Sequence, residues 1–360
     1  MTEAVLLVGG KGTRLRPLTV ETPKPMLATA GVPFLHHVLA RARDAGIDHV
    51  VLATSYRPEV FQRGIGDGRD LGLRVDYVTE TEPLGTGGGI RNVLDLLQSG
   101  PDDPVVILNG DVLSGHDLRA QLDAHRSAGA DVSLHLTVVE DPRAFGCVPT
   151  DESGRVTAFL EKTPEPVTDR VNAGCYIFNR RVIDAIPAGR KVSVERETFP
   201  GLLRDGALVV GHVEQAYWLD LGTPAAFVRG SCDLVLGRLH SPALPGPTGE
   251  WLVLPTARVA TDAVLCGGTT VGAGAVVGAG ATVEGSVLLD GAVVGEGAAL
   301  RDSVVGRGAQ IGDRTVLVGA VIGDRARVGA DNELLAGARV WTDARLPPKA
   351  LRFSSDEASA

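Results

Sequence analysis

A glycine-rich loop that carries several cations and directly follows an apolar strand is the feature that most constrains this chain. Glycine lets backbone N–H groups approach an anion closely, and Lys11, Arg14 and Lys24 supply charge-assisted contacts. We therefore predict a polyphosphate ligand. The dinucleotide fingerprint needs a glycine where Leu15 stands, and the P-loop pattern does not occur, so neither common phosphate loop is indicated. The loop reads Leu7-Val8-Gly9-Gly10-Lys11-Gly12-Thr13-Arg14-Leu15-Arg16-Pro17-Leu18-Thr19, followed by Thr22-Pro23-Lys24-Pro25-Met26.

Length and charge narrow the class of protein. A chain of 360 residues exceeds what a single core usually supports, so two domains are expected. The net charge of −9 argues against a nucleic-acid partner. No apolar stretch approaches the roughly 20 residues of a membrane span, and the first apolar run is too short for a signal peptide. We expect a cytoplasmic protein with no membrane partner.

Short β-rich runs alternate with helical patterns up to about residue 235. This alternation predicts an α/β domain with a mostly parallel sheet covered by helices on both faces. In such a sheet the ligand lies beyond the carboxyl ends of the strands, so the loops after Val8 and Leu108 should face the same crevice. The runs that we interpret as strands are Ala4–Val8, His49–Thr54, Val75–Thr79, Val105–Leu108 and Asp131–Val139.

The rhythm of the sequence changes after a Pro- and Gly-rich segment, 241–250, that can neither continue a helix nor join a central strand. Aliphatic residues then recur every six positions, with three steps shortened by one residue, and glycine commonly follows them. Such a period predicts a solenoid. The pattern resembles the hexapeptide repeat of left-handed parallel β-helices, and this resemblance implies the hand. The aliphatic positions are Val259, Leu265, Val271, Val277, Val283, Leu289, Val294, Val305, Ile311, Leu317, Ile322, Val328, Leu334 and Val340.

Two aspartates lie at predicted strand ends beside a glycine, Asp111 after Gly110 and Asp220 before Gly222. Asp111 stands in Asn109-Gly110-Asp111-Val112, and Asp220 stands in Trp218-Leu219-Asp220-Leu221-Gly222. Mg²⁺ prefers oxygen ligands and usually takes only one or two carboxylates from a protein, leaving other positions to phosphates and water. We interpret Asp111 and Asp220 as metal ligands that share one ion or hold two. An N-G-D turn taken alone is more often a plain turn or helix cap.

The glycine-rich loop resembles the G-G-x-G-T-R-L-x-P-L-T and P-K-P signature of sugar-1-phosphate nucleotidyltransferases, and the chain is most similar to their mannose-1-phosphate guanylyltransferase branch. The resemblance implies a Rossmann-like nucleotidyltransferase domain followed by a left-handed β-helix. It extends to Leu84-Gly85-Thr86-Gly87-Gly88, where Gly87 replaces an alanine, and to Ser193-Val194-Glu195-Arg196-Glu197. The nucleotide-binding residues implied are Leu7, Gly9, Gly10, Lys11, Gly12, Thr13, Arg14, Lys24, Glu80, Gly85, Thr86 and Asp111.

The resemblance also assigns a sugar-phosphate site. Glu161-Lys162 and Asn172-Ala173-Gly174 resemble the family's E-K-P and N-A-G motifs, and Gly146 resembles a position where the sugar ring approaches the backbone. Lys162 would pair with the sugar's phosphate, and Glu161 and Asn172 with its hydroxyls. Taken alone, each motif is more often a surface ion pair or a turn.

The implied reaction is transfer of GMP from GTP to mannose-1-phosphate with Mg²⁺. Arg14, Lys24, Lys162 and Asp111 are the expected catalytic residues. A carboxylate at Glu80 suits guanine, which offers two donors, although Glu82 is an equal candidate. Two alternatives remain open. The protein is a nucleotidyltransferase for another base or for the phosphate of glucose, a heptose or a cyclitol, or it is a non-catalytic sensor that binds a nucleotide sugar.

An acyltransferase role for the repeats lacks the histidine base such enzymes need, since the last histidine is His240. The repeats are better explained as an assembly or regulatory module, and we expect a homo-oligomer that forms through them. The expected boundaries are a catalytic domain over 1–238, a linker over 239–255, a β-helix over 256–341 and a tail over 342–360. The oligomer number, an allosteric effector and the number of metal ions stay open.

Overall fold

The computed structural model describes residues 2–335 and 337–352, so residues 353–360 of the expected tail lie outside the described residues. The chain divides into two compact units. The sheet unit holds the residues up to Gly10 together with Val38–Trp218, and the repeat unit holds Lys11–His37 and the residues from Leu219 onward. Residues 11–37 and 219–238, which the expected catalytic domain over 1–238 contains, are grouped with the repeat unit in this division.

The sheet unit is built on a mixed sheet that is mostly parallel. Glu3–Leu7 runs parallel to both of its neighbours, His49–Thr54 and Pro104–Asn109. Arg170–Asn179 runs antiparallel to Pro104–Asn109. This confirms the predicted architecture, and the predicted strands lie within two residues of the observed ones. In order across the sheet the strands are Leu160–Glu161, Gly146–Cys147, Arg170–Asn179, Pro104–Asn109, Glu3–Leu7, His49–Thr54 and Arg74–Thr79, with Val132–Val138 beside Arg170–Asn179 and Val209–Val213 beside Val132–Val138.

Local signals account for both ends of one helix of the sheet unit. Leu118–Ala128 begins where the Asp117 carboxylate accepts a hydrogen bond from the Ala120 N–H, and it ends at Gly129 in the left-handed conformation. The core of the unit consists of aliphatic residues of the central strands and aromatic side chains such as Tyr176 and Phe199. The α-helices of the chain are Phe34–Asp44, Pro58–Ile65, Gly85–Asn92, Leu118–Ala128, Arg180–Asp184, Phe199–Arg204 and Pro224–Val235. The shorter helices are Thr13–Leu15, Lys24–Met26, Arg69–Leu71, Leu94–Leu96, Pro142–Ala144 and the π-helix Val194–Thr198.

The repeat unit contains a three-sided parallel β-helix, consistent with the expected left-handed β-helix. Successive coils are mostly 17 residues apart, as in the pairing of Val276 with Val293. Among the described residues, the first face consists of Trp251–Val253, Thr269–Val271, Val287–Leu288, Val304–Val305, Val321–Ile322 and Arg339–Val340. The second face consists of Arg258–Val259, Val276–Val277, Val293–Val294, Gln310–Ile311, Arg327–Val328 and Arg345–Leu346. The third face consists of Val264–Cys266, Thr282–Glu284, Ala299–Arg301, Val316–Val318 and Glu333–Leu334. Trp251–Val253, inside the expected linker, already pairs with Thr269–Val271.

The predicted aliphatic period was wrong at one position. Leu288, not Leu289, points into the β-helix core, and Leu300 fills a core position that the prediction left out. Leu289 instead packs outside the coil. Three consecutive aliphatic residues, 287–289, made the register ambiguous in the sequence.

Residues 11–27, the phosphate loop, lie against the outside of the β-helix within the repeat unit. The short strands Ala28–Thr29 and Val32–Pro33 follow as a small hairpin. The remaining short strands of the chain are Val112–Ser114 and Trp218–Asp220. Within residues 2–335 and 337–352, none of the helices has the length and apolar character needed to cross a membrane.

Candidate active site

The carboxyl end of the central strands positions the first predicted site residues. Leu7 lies level with Asn109 on the neighbouring strand, and the Gly110 N–H donates to the Leu7 carbonyl at 3.0 Å. A Cβ on Gly110 would lie 2.5 Å from a Val8 methyl, so only glycine fits this turn. Asp111 follows directly and is thereby placed at the strand end, as predicted.

Gly9 is held at the same edge of the sheet. Its carbonyl accepts a short hydrogen bond from the Ser55 hydroxyl, and a Cβ on Gly9 would lie 2.8 Å from that hydroxyl oxygen. Gly10 is exposed and has open space around its Cα. The backbone at Gly9 is therefore fixed by a side chain that the sequence did not single out.

Glu80 and the start of the next helix form a second part of the site. One Glu80 carboxylate oxygen accepts from the Leu84 N–H at 3.2 Å, and the other lies where a Cβ on Gly89 would come within 2.8 Å. A Cβ on Gly89 would also lie 3.5 Å from a Leu7 methyl carbon. Burial raises the pKa of Glu80 against the opposing effect of the Leu84 N–H. Glu82, by contrast, is exposed.

Gly85 and Thr86 dock this helix onto the segment that follows Lys191. Gly85 has a φ of +73°, and a Cβ there would lie 2.6 Å from the Val192 carbonyl oxygen. The Thr86 hydroxyl donates to the Glu195 carboxylate at 2.8 Å and accepts from the Val194 N–H at 3.0 Å. Both residues thus contact the segment 192–195, so packing accounts for a glycine at 85 and a threonine at 86. Their predicted role in nucleotide binding stays a prediction.

The predicted sugar side is assembled from three adjacent strands. Gly146 lies opposite Glu161 in an antiparallel pair, and the Gly146–Cys147 strand pairs with Arg170–Asn179. A Cβ on Gly146 would lie 2.8 Å from a Glu161 carboxylate oxygen. The glycine therefore leaves room for the Glu161 carboxylate. Burial raises the pKa of Glu161, and the charge of Glu195 raises it further.

Lys162 and Asn172 lie beside this pair. Lys162 has a φ of +50°, its N–H donates to the Phe145 carbonyl at 3.1 Å, and its exposed ammonium is 3.9 Å from Glu161 Oε1. Asn172 Oδ1 accepts from the Gly174 N–H at 3.0 Å, and its Nδ2 donates to the Tyr176 hydroxyl at 2.8 Å. An amide has two lone pairs and two N–H groups, so each end keeps one position for a ligand.

Several residues that sequence reasoning left without a role support these groups. Glu195 contacts Thr86 and acts electrostatically on Glu161, so it joins the two parts of the site. The Trp218 indole N–H donates to the Ala173 carbonyl at 3.0 Å, and its ring packs edge-on against Phe145. The S-V-E match could have drawn attention to Glu195; no local signal identifies Trp218.

In the repeat unit two of the predicted cations of the phosphate loop, Arg14 and Lys24, lie near the turn that contains Asp220. Gly12 is in the left-handed conformation, and its carbonyl accepts from the Thr19 hydroxyl at 2.8 Å. The Lys24 ammonium lies 3.6 Å from Asp220 Oδ1. A Cβ on Gly222 would lie 2.5 Å from Arg14 Nη2, so this glycine makes room for the guanidinium. Lys11 and Thr13 are exposed.

Asp220 Oδ1 suits a metal ion. It is a buried carboxylate oxygen that accepts no hydrogen bond from the described residues, and carboxylate oxygen is the donor that Mg²⁺ prefers. Within the described parts of the chain, His, Cys, Asp and Glu side chains form no group of three or more that could hold a metal by themselves. The donor set therefore fits an ion that completes its coordination with phosphate oxygens and water.

Comparison with known proteins places the chain in a family. The model of the nucleotidyl transferase family matches residues 3–235, and that of the GMPPB C-terminal domain matches 248–352. The chain belongs to the nucleotidyl transferase family. This confirms the resemblance found in the sequence.

Two relatives of this nucleotidyl transferase carry the name of the same enzyme. It is 59% identical over 355 residues, 98% of both chains, to the mannose-1-phosphate guanylyltransferase of Mycobacterium tuberculosis. It is 39% identical, over 72% of this chain and 70% of the relative, to the catalytic subunit beta of that enzyme in Drosophila pseudoobscura pseudoobscura. Among solved structures it resembles HddC from Yersinia pseudotuberculosis complexed with GMP-PN, with a TM-score of 0.55 and 27% identity over 64% of this chain and 98% of that one.

Proposed function

We propose that this nucleotidyl transferase is a mannose-1-phosphate guanylyltransferase, which forms GDP-mannose and pyrophosphate from GTP and mannose-1-phosphate. The observation that carries the proposal is its 59% identity, across 98% of both chains, with the mycobacterial protein of that name. The similar structure of HddC complexed with GMP-PN agrees with the choice of base.

In the proposed reaction a phosphate oxygen of mannose-1-phosphate forms a bond to the α-phosphorus of GTP, and the bond from that phosphorus to the bridging α–β oxygen breaks. The acceptor is already an anion, so the reaction needs no protein base or nucleophile. The protein must instead bring two polyanions together and stabilise the charge of the transition state. We assign Lys11 and Arg14 to the leaving pyrophosphate, Lys24 to the α-phosphate, and Lys162 to the attacking phosphate.

The carboxylates Asp111 and Asp220 would hold Mg²⁺. When bound, the ion neutralises phosphate oxygens as charge shifts during the transfer. Asp111 lies at the strand end fixed by the tight turn at Gly110, and Asp220 contributes the buried oxygen that accepts no hydrogen bond from the described residues.

Sugar and base recognition are assigned to the partly buried polar groups of the sheet unit. Glu161 and the remaining amide positions of Asn172 would bind sugar hydroxyls. Glu80 is assigned to guanine N1 and N2 in preference to Glu82, because Glu80 is partly buried beside Leu7 and Gly89, whereas Glu82 is exposed. Thr86 and Gly85 would keep the segment after Glu80 in place through their contacts with Glu195 and Val192.

The direct test is a matrix of nucleoside triphosphates against sugar phosphates. Purified protein with Mg²⁺ is incubated with GTP, ATP, UTP, CTP or dTTP and with the 1-phosphates of mannose, glucose, a heptose or a cyclitol, and pyrophosphate and nucleotide sugar are measured. The expected result is the highest kcat/KM for GTP with mannose-1-phosphate. A preference for another pair would contradict the proposed substrates, and binding of GDP-mannose without turnover would instead indicate the sensor role.

Exposed apolar side chains at the start of the β-helix also support the proposal that this protein forms a homo-oligomer, since burial against another subunit would remove their surface from water. Trp251 and Val264, on strands at the start of the β-helix, are about half exposed. Light scattering of the purified protein tests this, and a monomer mass across the working concentration range would contradict it.

A further inference from the structure

Three arginines of the β-helix reach the phosphate loop within the repeat unit. Arg325 donates to both carboxylate oxygens of Glu21, at 3.0 and 2.7 Å. Arg307 donates to the Thr22 hydroxyl at 2.9 Å. A third contact, from Arg339, goes to the Arg16 carbonyl at 2.8 Å. Residues about 300 positions apart in the chain thus meet along one stretch of the loop.

Apolar side chains lie beneath these polar contacts. Leu15, Leu18 and Leu27 of the phosphate loop are almost fully buried and form one cluster with aliphatic residues on the outside of the β-helix. This cluster explains why Leu289 faces outward from the coil. The β-helix residues of the cluster are Val287, Leu289, Val304 and Val321.

The three contacts fall between Arg14 and Lys24, two of the cations of the phosphate loop. Arg16, Glu21 and Thr22 all lie after Arg14 and before Lys24. The loop has little structure of its own there, since its regular elements are the single turns Thr13–Leu15 and Lys24–Met26. A displacement of residues 16–22 would therefore shift both cations, which lie at the two ends of this stretch.

We propose that Arg325, with Arg307 and Arg339, is a positioning residue for nucleotidyl transfer: the β-helix arginines hold the phosphate loop so that Arg14 and Lys24 meet the triphosphate in a fixed geometry. The inference rests on the proposed function for its substrates. It gives the repeat domain a part in the chemistry besides assembly, because a misplacement of about 1 Å at a reacting group can cost on the order of 100-fold in rate.

The Arg325–Glu21 pair is the contact best suited to a test. Both side chains are about half exposed, at 48% and 45%, and exposed ion pairs contribute little to global stability. If the pair had a purely structural role, its removal would therefore change the stability of the protein only slightly. Arg325 also pairs with Asp343, so Glu21→Gln removes the loop contact while the contact within the β-helix stays.

The chain offers a matched control. Arg314 makes the same kind of two-point contact with Asp331, at 2.8 and 3.0 Å, between coils of the β-helix. Arg314 is 63% exposed, and among the described residues its side-chain hydrogen bonds go to Asp331, between coils of the β-helix and outside the phosphate loop. Arg314→Gln therefore removes an arginine–carboxylate pair of the same domain without touching the phosphate loop.

The experiment measures kcat and both KM values for the wild type, E21Q, R325Q, the double variant E21Q/R325Q, R325K and R314Q, together with thermal unfolding. We expect E21Q and R325Q to lower kcat/KM for GTP about tenfold or more, with an unchanged KM for mannose-1-phosphate and a midpoint within a degree or two of the wild type. The double variant should resemble the single ones, because either single substitution already removes the contact between Arg325 and Glu21. R325K should be intermediate, and R314Q should behave as the wild type.

Hydrogen exchange of a peptide covering residues 11–27 provides a readout that needs no turnover. Exchange should be faster in R325Q than in the wild type and unchanged in R314Q. Wild-type kinetics in R325Q, or equal losses in R325Q and R314Q, would overturn the inference, and so would unchanged exchange. Failure of the proposed function is distinguishable, since the wild type itself would then make no nucleotide sugar while the exchange comparison still tests the loop contact.

Discussion

His37 should make the stability of the repeat unit sensitive to acid. The ring is 1% exposed, its Nε2 lies 2.9 Å from the Thr29 carbonyl oxygen, and its Nδ1 lies 2.6 Å from the Ser241 hydroxyl. A carbonyl only accepts, so Nε2 carries the proton and Nδ1 accepts from Ser241. The neutral imidazole of His37 therefore has a hydrogen-bond partner at each ring nitrogen. Burial, and to a smaller extent the neighbouring His36, lowers its pKa from 6.5 to about 4.

The sign and size of the effect follow from proton linkage. The folded pKa of His37 lies below the unfolded one, so the unfolded chain binds the extra proton between about pH 6.5 and pH 4, and the free energy of unfolding falls as the pH falls through that window. At about pH 5, protonation of His37 in the unfolded chain raises the equilibrium constant of unfolding by a factor of about 30, which lowers the free energy of unfolding by about 2 kcal/mol. At about pH 7.5 the same contribution is close to zero.

Urea unfolding of the wild type and His37→Gln at these two pH values isolates this residue. Other buried histidines act in the same direction, since burial also lowers the pKa of His116 to about 2 and of His135 to about 4. These are present in both proteins, so the difference between them reports His37. The wild type should lose about 2 kcal/mol more than H37Q between about pH 7.5 and about pH 5. An equal loss in the two proteins would refute the reasoning.

Three further substitutions test the site and the β-helix. Asp111→Asn should reduce pyrophosphate release by about 100-fold or more, through loss of a metal ligand, with an unchanged melting temperature; near-normal turnover would remove Asp111 from the site. Glu80→Gln should lower kcat/KM for GTP about tenfold while ITP, which lacks the N2 amino group, changes less; an equal fall for both nucleotides would argue against a contact with N2. Gly306→Ala should destabilise the β-helix by about 2 kcal/mol or more, since its Cβ would lie 2.6 Å from the Asp324 backbone N. Gly249→Ala, with open space around it, is the control in urea unfolding.

The local pattern of the sequence was enough to predict five strands of the sheet unit and the repeats of the β-helix. His49–Thr54 was predicted at its observed bounds, because a run of β-formers between polar segments has one simple interpretation. The six-residue period failed only at Leu289, where three aliphatic residues in a row allow two registers. The shortened steps have a structural meaning that the sequence did not reveal: they give coils of mostly 17 residues, which keep the three faces in line.

Contacts between distant segments could not be predicted. Nothing near Glu21 in the sequence indicates Arg325, which is 304 positions away, and the assignment of residues 11–37 to the repeat unit depends on such contacts. The site shows the same limit. The ligand contacts expected of the glycines at 85 and 146 stay predictions, and the structure shows in addition that each makes room for a protein group, the Val192 carbonyl and the Glu161 carboxylate.

The turn that contains Asp220 illustrates how one short motif serves two cations. Its aspartate lies 3.6 Å from the Lys24 ammonium, and its glycine at 222 leaves the space that the Arg14 guanidinium occupies. Two cations near each other repel, so an arrangement of this kind needs a counter-charge and tight packing if it is to persist without a ligand. Asp220 supplies the charge, and the leucine cluster with the three β-helix arginines supplies the packing. A phosphate loop with so little regular structure is therefore kept in place by residues far away in the sequence, which is why its motif predicts the ligand but not the support.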